Sequence, residues 1–208
     1  MRQKINKTKT GFTIIETMIS VSLFIVIVMA GMGALLNANL LHNKSQNMRS
    51  IMDNLSFIME DMSKNLRTGY NYKCYTEWSQ NNAQSPALND PASCSSGGRA
   101  IVFEEAIDGK PAITSDQWVY KIYLSNDGVN NFNIGKSIDG GSTWTQLNPD
   151  EIKLNGASGF TVFGAEKGPP TQPFVTIRLI GNITFKGIDT PFSLQTSVSQ
   201  RVLDVPSL

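Results

Sequence analysis

A single carboxylate, Glu16, stands between Ile14-Ile15 and Met18-Ile19 in a stretch that is otherwise apolar. A charge in hydrocarbon costs on the order of 3 kcal/mol and needs a counter-charge, unless the side chain snorkels to water at an interface. The chemistry this position asks for is ion pairing, not catalysis. Other reactive side chains are few. His42 is the sole histidine and falls where the apolar stretch ends, so a Ser-His-Asp constellation has no better-placed base. No phosphate-cradling glycine motif occurs. Cys74 and Cys94 lie in a stretch rich in Asn, Ser, Pro and Gly, without the further Cys or His pair that a zinc site requires. Outside the cytoplasm a bridge between them would close a loop of about twenty residues and stabilise by about 3 kcal/mol; in a reducing compartment they would be two free thiols in a loop. Asp127 and Asp139 are loop carboxylates of the kind calcium favours, but no Asp-x-Asp-x-Asp-Gly pattern accompanies them. No metal and no cofactor is therefore expected.

The element that must carry Glu16 is a long helix. From Thr17 to Leu41 there is no charged residue, and Met18 to Ala30 is strongly apolar. About twenty such residues cross the hydrocarbon of a bilayer. Arg2, Lys4, Lys7 and Lys9 all precede the run, with no acid among the first eleven residues. By the positive-inside rule the N-terminus is expected in the cytoplasm and everything after Leu41 outside it, with the lipid bilayer as the first partner. The run is longer than the apolar core of a secretory signal and continues into further helix, so the chain is expected to keep it.

The stretch Lys9-Thr10-Gly11-Phe12-Thr13-Ile14-Ile15-Glu16 resembles the cleavage and methylation motif of type IV prepilins and of the pseudopilins of type II secretion. The resemblance implies that a prepilin peptidase cuts between Gly11 and Phe12, that Phe12 becomes N-methylated, and that Glu16 pairs with the N-terminal amine of a neighbouring subunit. Gly11, lacking a side chain, suits close approach of a peptidase to the backbone. A carboxylate beside an amine in low dielectric is strong when made and costly when broken, which would set the axial register of one helix on the next. Many major pilins carry a proline midway along the apolar helix, whereas here none occurs before Pro86; Gly31 and Gly33 are the only softer positions.

Beyond His42-Asn43-Lys44, Met48, Ile51, Met52, Leu55, Ile58, Met59, Met62 and Leu66 recur at spacings of three and four, one face of an amphipathic helix. Lys64, Arg67 and Gly69 predict its end near Thr68. A continuous helix from Phe12 to Thr68 would be roughly 85 Å long at about 1.5 Å per residue. The methionines read as core packing. Residues 70–98 show little periodicity and are expected to form a loop with at most one short element. Strand signals come next in Ala100–Phe103, Trp118–Leu124 and Phe160–Phe163, and apolar and polar residues alternate in Val175–Leu179 and Phe192–Val198. The fold class is thus α+β: a long N-terminal helix, membrane-spanning in its first half and amphipathic in its second, packed on a C-terminal antiparallel sheet, as the pilin resemblance also implies.

The expected organisation is a basic leader (1–11), a transmembrane or filament-core half-helix (12–41), an amphipathic half-helix (42–68), a loop region with the cysteines (69–99) and a sheet domain (100–208). A chain of 208 residues with 40% apolar content buries one ordinary core. Without the leader, 14 bases face 17 acids, a net of −3 that offers no nucleic-acid surface. Ser137 to Trp144 resembles the Asp-box of sialidases, where Asp and Gly shape a hairpin turn over a Trp; with one copy it reads as a turn, not an enzyme site. The expected role is a structural subunit of a type IV pilus or related filament, its length and long loop favouring a minor one. Its expected partners are a prepilin peptidase, other pilin or pseudopilin subunits and an inner-membrane assembly platform. A pseudopilin of a type II secretion or DNA-uptake apparatus shares the N-terminal motif, and a membrane-anchored glycan-binding or glycan-cleaving protein is the reading from another class.

Overall fold

A computed structural model describes residues 11–77, 90–106, 113–126, 130–166, 172–185 and 187–201. The fold is α+β: among the described residues one helix, α1 (Ile14–Thr68), precedes ten strands. Residues through Asn47 form one compact unit and Met48 onward a second, which holds the rest of α1 and every strand.

In the second unit the predicted stripe is buried. Ile51, Leu55, Ile58, Met59, Met62 and Leu66 join Ile101, Phe103, Tyr120, Ile122, Ile134 and Ile177 in one core, with Met48 and Met52 packed at its edge. Each fully buried aliphatic or aromatic side chain of this size contributes about 1.5–3 kcal/mol. The helix ends where Lys64, Arg67 and Gly69 placed it, and its last carbonyls find partners. The Gly69 amide donates to Asn65 at 2.9 Å, the Arg201 amide donates to Arg67 at 2.8 Å, and the buried Tyr72 hydroxyl reaches the carbonyls of Leu66 and Gly69. Gly69 admits no side chain, because a Cβ there would lie 2.4 Å from the Phe103 ring.

The strands are β1 (Tyr70–Tyr75), β2 (Cys94–Gly98), β3 (Ala100–Glu104), β4 (Trp118–Leu124), β5 (Phe132–Ser137), β6 (Thr145–Gln146), β7 (Ile152–Leu154), β8 (Gly159–Phe163), β9 (Phe174–Phe185) and β10 (Ile188–Ser199). All named strand pairs are antiparallel, in the order β1-β3-β4-β5-β7-β9-β8-β2, with β10 on β9 and β6 on β5. The long strand β9 organises the sheet. β10 pairs along its whole length, while β7 takes Gly181–Ile183 and β8 takes Phe174–Arg178. Gly181 is required at this junction, since a Cβ would meet the Lys153 carbonyl oxygen at 2.1 Å.

The two ends of this order come back together. Lys73 of β1 bridges to Ala92 just before β2, through Cys74 N–H to Ala92 O at 3.0 Å and Ala92 N–H to Tyr72 O at 3.1 Å. The Cys74–Cys94 disulfide, with Cα atoms 5.6 Å apart, staples the same seam. Residues 69–99, expected as a loop with at most one short element, therefore hold two strands. β2 reads Cys-Ser-Ser-Gly-Gly and has no strand propensity of its own; pairing with β8 and the covalent link to β1 make it a strand.

Replacing both cysteines by alanine removes a constraint on a loop of 20 residues and is expected to lower unfolding stability by about 3 kcal/mol. Urea unfolding of the full chain in detergent, with and without reductant, checks this. An unchanged midpoint would show that the seam is held by its hydrogen bonds alone.

Candidate functional site

The N-terminal site is assembled from local geometry. Gly11, Phe12 and Thr13 precede the helix, and Thr13 is its N-cap: its carbonyl accepts from Glu16 N–H at 3.1 Å and Thr17 N–H at 3.2 Å, and its hydroxyl accepts from Glu16 N–H at 3.4 Å. Thr13-Ile14-Ile15-Glu16 is thus a capping-box sequence, a signal that the apolar context of Glu16 had masked. Glu16 also lies in the first turn, where the helix dipole favours an acid. It is exposed and has no ion-pair partner among the described residues. Gly11 has open space around it, with nothing within 4 Å of where a Cβ would stand, and Phe12 is 82% exposed. The basic residues Arg2, Lys4, Lys7 and Lys9 lie outside the described residues.

Beyond Glu16 the helix is apolar on every side. Seventeen large apolar side chains between Phe12 and Leu41 are exposed, and the helix contains a stretch long and apolar enough to cross a membrane. At about 1.5–3 kcal/mol for each, leaving them all in water would cost tens of kcal/mol, so lipid or protein must cover them. The polar side chains in the run are satisfied inside the helix. Thr17 donates to the Ile14 carbonyl at 2.8 Å, Ser20 to Glu16 at 2.8 Å and Ser22 to Ile19 at 2.9 Å, the way hydroxyls enter hydrocarbon without an open donor. His42 and Gln46 pair at 3.0 Å one turn apart, after the run ends. No protein-family model, curated protein or solved structure matches this chain.

The sheet unit carries further polar groupings. Helix and sheet are clamped where Asp61 meets Lys136 at 3.0 Å, with the Tyr120 hydroxyl donating to Asp61 at 3.0 Å and accepting from Asn65 at 2.8 Å. Lys136 also sits 4.6 Å from the Trp118 ring centroid. Burial pushes the Tyr120 hydroxyl far above its ordinary range, the Asn65 bond works against this, and the Asp61 charge adds to it. Tyr120 is therefore a fixed neutral donor and not a proton carrier.

The Asp139 hairpin is tied together by its own side chains. The Asp139 carboxylate accepts from Ser137 Oγ at 2.7 Å, Thr143 Oγ1 at 2.6 Å and Thr143 N–H at 2.9 Å, while Trp144 Nε1 donates to Gly141 O at 2.8 Å. Burial alone would raise its carboxyl, but the Thr143, Ser137 and Ser142 bonds outweigh that and hold it down at about 2. Lys121 covers the Trp144 ring at 3.4 Å. Both oxygens of Asp139 are occupied by these donors, and Asp127, the other candidate calcium ligand, lies outside the described residues.

Sequence reasoning missed two residues. Phe57 lies on the outward side of the amphipathic half-helix and is 71% exposed; its position off the methionine stripe was the available signal. Glu104, at the end of β3, is fully buried. Gln117 Nε2 donates to its Oε1 at 3.2 Å, and its Oε2 has no hydrogen-bond partner. Burial pushes this carboxyl up to about 7, the Gln117 bond opposes the shift, and the Asp116 charge reinforces it. Its folded pKa thus lies above the ordinary 4.5 of the unfolded chain. Between these values the native state holds the extra proton, so stability falls as pH rises through the window and levels off above it. Thermal unfolding of Glu104→Gln between pH 4.5 and 8 should show a flattened decline and a higher midpoint at pH 8 than the parent. A parent-like slope would place the titration elsewhere.

Proposed function

We propose that this chain is a structural subunit of a type IV pilus or related filament. A prepilin peptidase cuts it between Gly11 and Phe12, and the new amine is N-methylated. The subunit waits in the inner membrane with its N-terminus cytoplasmic and the sheet unit outside, and then packs by its apolar half-helix into the fibre through the assembly platform. The observation that carries this reading is the combination at one end of α1: a basic leader, Gly11-Phe12, Glu16 at its offset, and then a helix whose every side is apolar. A bilayer covers such a helix in a monomer, and like helices cover it in a fibre. Hydroxyls bonded to the helix's own carbonyls suit either surrounding. Exposed Phe57 offers an apolar contact to a neighbouring subunit beyond the membrane.

The disulfide fits an extracytoplasmic sheet unit, because bridges persist in oxidising compartments. A pseudopilin of a secretion or DNA-uptake apparatus has the same N-terminal chemistry, and the secretion or pilus genes beside this one separate the two.

Two experiments test the reading. Co-expression with a prepilin peptidase is expected to shorten the chain by the eleven-residue leader and leave Phe12 first on N-terminal sequencing, with Gly11→Ala reducing the processed fraction; mature protein that still begins at Met1 would overturn the proposal. Glu16→Gln separates the two roles of the glutamate, since glutamine also serves in a capping box but carries no charge. Processing is expected to persist and incorporation into filaments to fall at least about tenfold, the scale of one lost buried charge pair. Filaments assembling normally from this variant would leave Glu16 only a cap.

A further inference from the structure

Away from the N-terminal helix, the sheet unit holds a polar cleft of about 330 Å³ where the β2–β3 corner faces the turn between β7 and β8. Four glycines, Gly97, Gly98, Gly156 and Gly159, are among the residues that line it. Gly98 and Gly159 are glycines for packing reasons, because a Cβ on Gly98 would meet Cys74 Sγ at 2.5 Å and one on Gly159 would meet the Gly98 carbonyl oxygen at 2.8 Å. Gly156 has no such crowding; its Cβ would stand 3.6 Å from Arg99 Nη2 and 3.7 Å from the Phe132 ring. Leaving it bare keeps the approach to Arg99 open.

Two arginines reach this cleft from different parts of the fold. Arg99 comes from the β2–β3 corner and Arg178 from β9, directly across from Gly159. Among the described residues no carboxylate lines the cleft and neither guanidinium has an ion-pair partner. Arg99 is also held in place: its guanidinium rests 4.4 Å from the Phe132 ring centroid, and Phe132 is itself buried. A stacked guanidinium has already given up much of its rotamer freedom, so less is lost when it binds. Two positive charges in one concavity are notable in a chain whose net charge beyond residue 11 is −3. A solvated surface arginine needs neither a ring beneath it nor a second arginine in the same concavity.

From this geometry we propose that the cleft binds a small oxyanion, the carboxylate or phosphate of a ligand no larger than a monosaccharide. The guanidinium fork matches both groups through paired N–H donors. The volume sits at the lower end of ligand pockets, which excludes extended chains from full enclosure. An acidic sugar and a phosphate are two sources of the same chemistry, and the test distinguishes them. The proposal is independent of the filament reading.

The experiment is calorimetric titration of the full chain in non-ionic detergent at low salt with sodium glucuronate, inorganic phosphate and, as neutral control, glucose. Saturable binding of glucuronate or phosphate is expected, with glucose silent. Glucuronate alone identifies a carboxylate sugar as the class; phosphate alone identifies a phosphate. Affinity should fall at least about tenfold in Arg178→Gln, whose exposed side chain plays no part in the core, and in Arg99→Gln, and should weaken as salt screens the charges. Arg99→Lys keeps the charge but loses the fork and is expected to recover binding only in part. The proposal fails if neither anion saturates, if glucose binds as well as glucuronate, or if Arg178→Gln, with an unchanged unfolding midpoint, binds like the parent.

Discussion

One helix in this protein has to satisfy two different surroundings, and the rest of the chain is arranged around that constraint. Up to Leu41 α1 is apolar on all sides; from Met48 it is apolar on one stripe. An all-round apolar helix is stable where nothing competes for its backbone and every neighbour is hydrocarbon or another helix. A striped helix is stable only against a complementary surface. Because backbone hydrogen bonds are satisfied within the helix in both cases, the chain changes surroundings without changing secondary structure, and side chains alone register the boundary.

The sheet unit meets the second demand with strands of very unequal length. Its strands β6 and β7 are two and three residues long, and β2 has no residue that favours a strand. β7 and β2 hold because each is tied from more than one direction, and β6 rests on β5 alone. β7 bridges β5 and β9; β2 is paired to β8 and covalently joined to β1. The helix is tied in turn by the Asp61–Lys136 pair with Tyr120 and Asn65, placed where the methionine stripe gives way to polar residues. Half-buried pairs of this kind add little net stability, but a partner lost would leave a charge or a hydroxyl stranded. Their effect is to select one rotation of the helix over its neighbours.

How much of this could be read in advance depended on the periodicities. The helix stripe from Met48 to Leu66 and the end near Thr68 were legible because spacings of three and four, a basic last turn and a glycine all agree. Strands β3, β4, β8, β9 and β10 were legible through β-branched and aromatic residues or clean alternation. β5 was not, because Asn133, Gly135 and Lys136 dilute its pattern, and Lys136 points to a helix partner that no local window contains. β1 hid among tyrosines and polar residues whose burial depends on the seam. At the candidate site, Gly11, Phe12, Glu16 and the two cysteines were visible as residues. The cap on Thr13, the exposure of Phe57 and the cleft between Arg99 and Arg178 were not, since each depends on where distant or neighbouring backbone lies.

Glu16 shows how magnitudes decide between roles that share one residue. As an acid in the first turn of α1 it meets the positive end of the helix dipole, which returns up to about 1 kcal/mol, while Thr13 supplies the cap. That contribution is available to a glutamate at a water interface. Carried into hydrocarbon, the same carboxylate costs on the order of 3 kcal/mol, more than the dipole returns. On the filament reading the helix is drawn out of the bilayer into a bundle of like helices, where water is no nearer, so the deficit has to be met by a cation. Cleavage after Gly11 creates one at Phe12, just ahead of the Thr13 cap and within reach of a first-turn carboxylate on the same chain. An amine from an adjacent subunit meets the same deficit and, on that reading, also ties one subunit to the next and fixes the step between them.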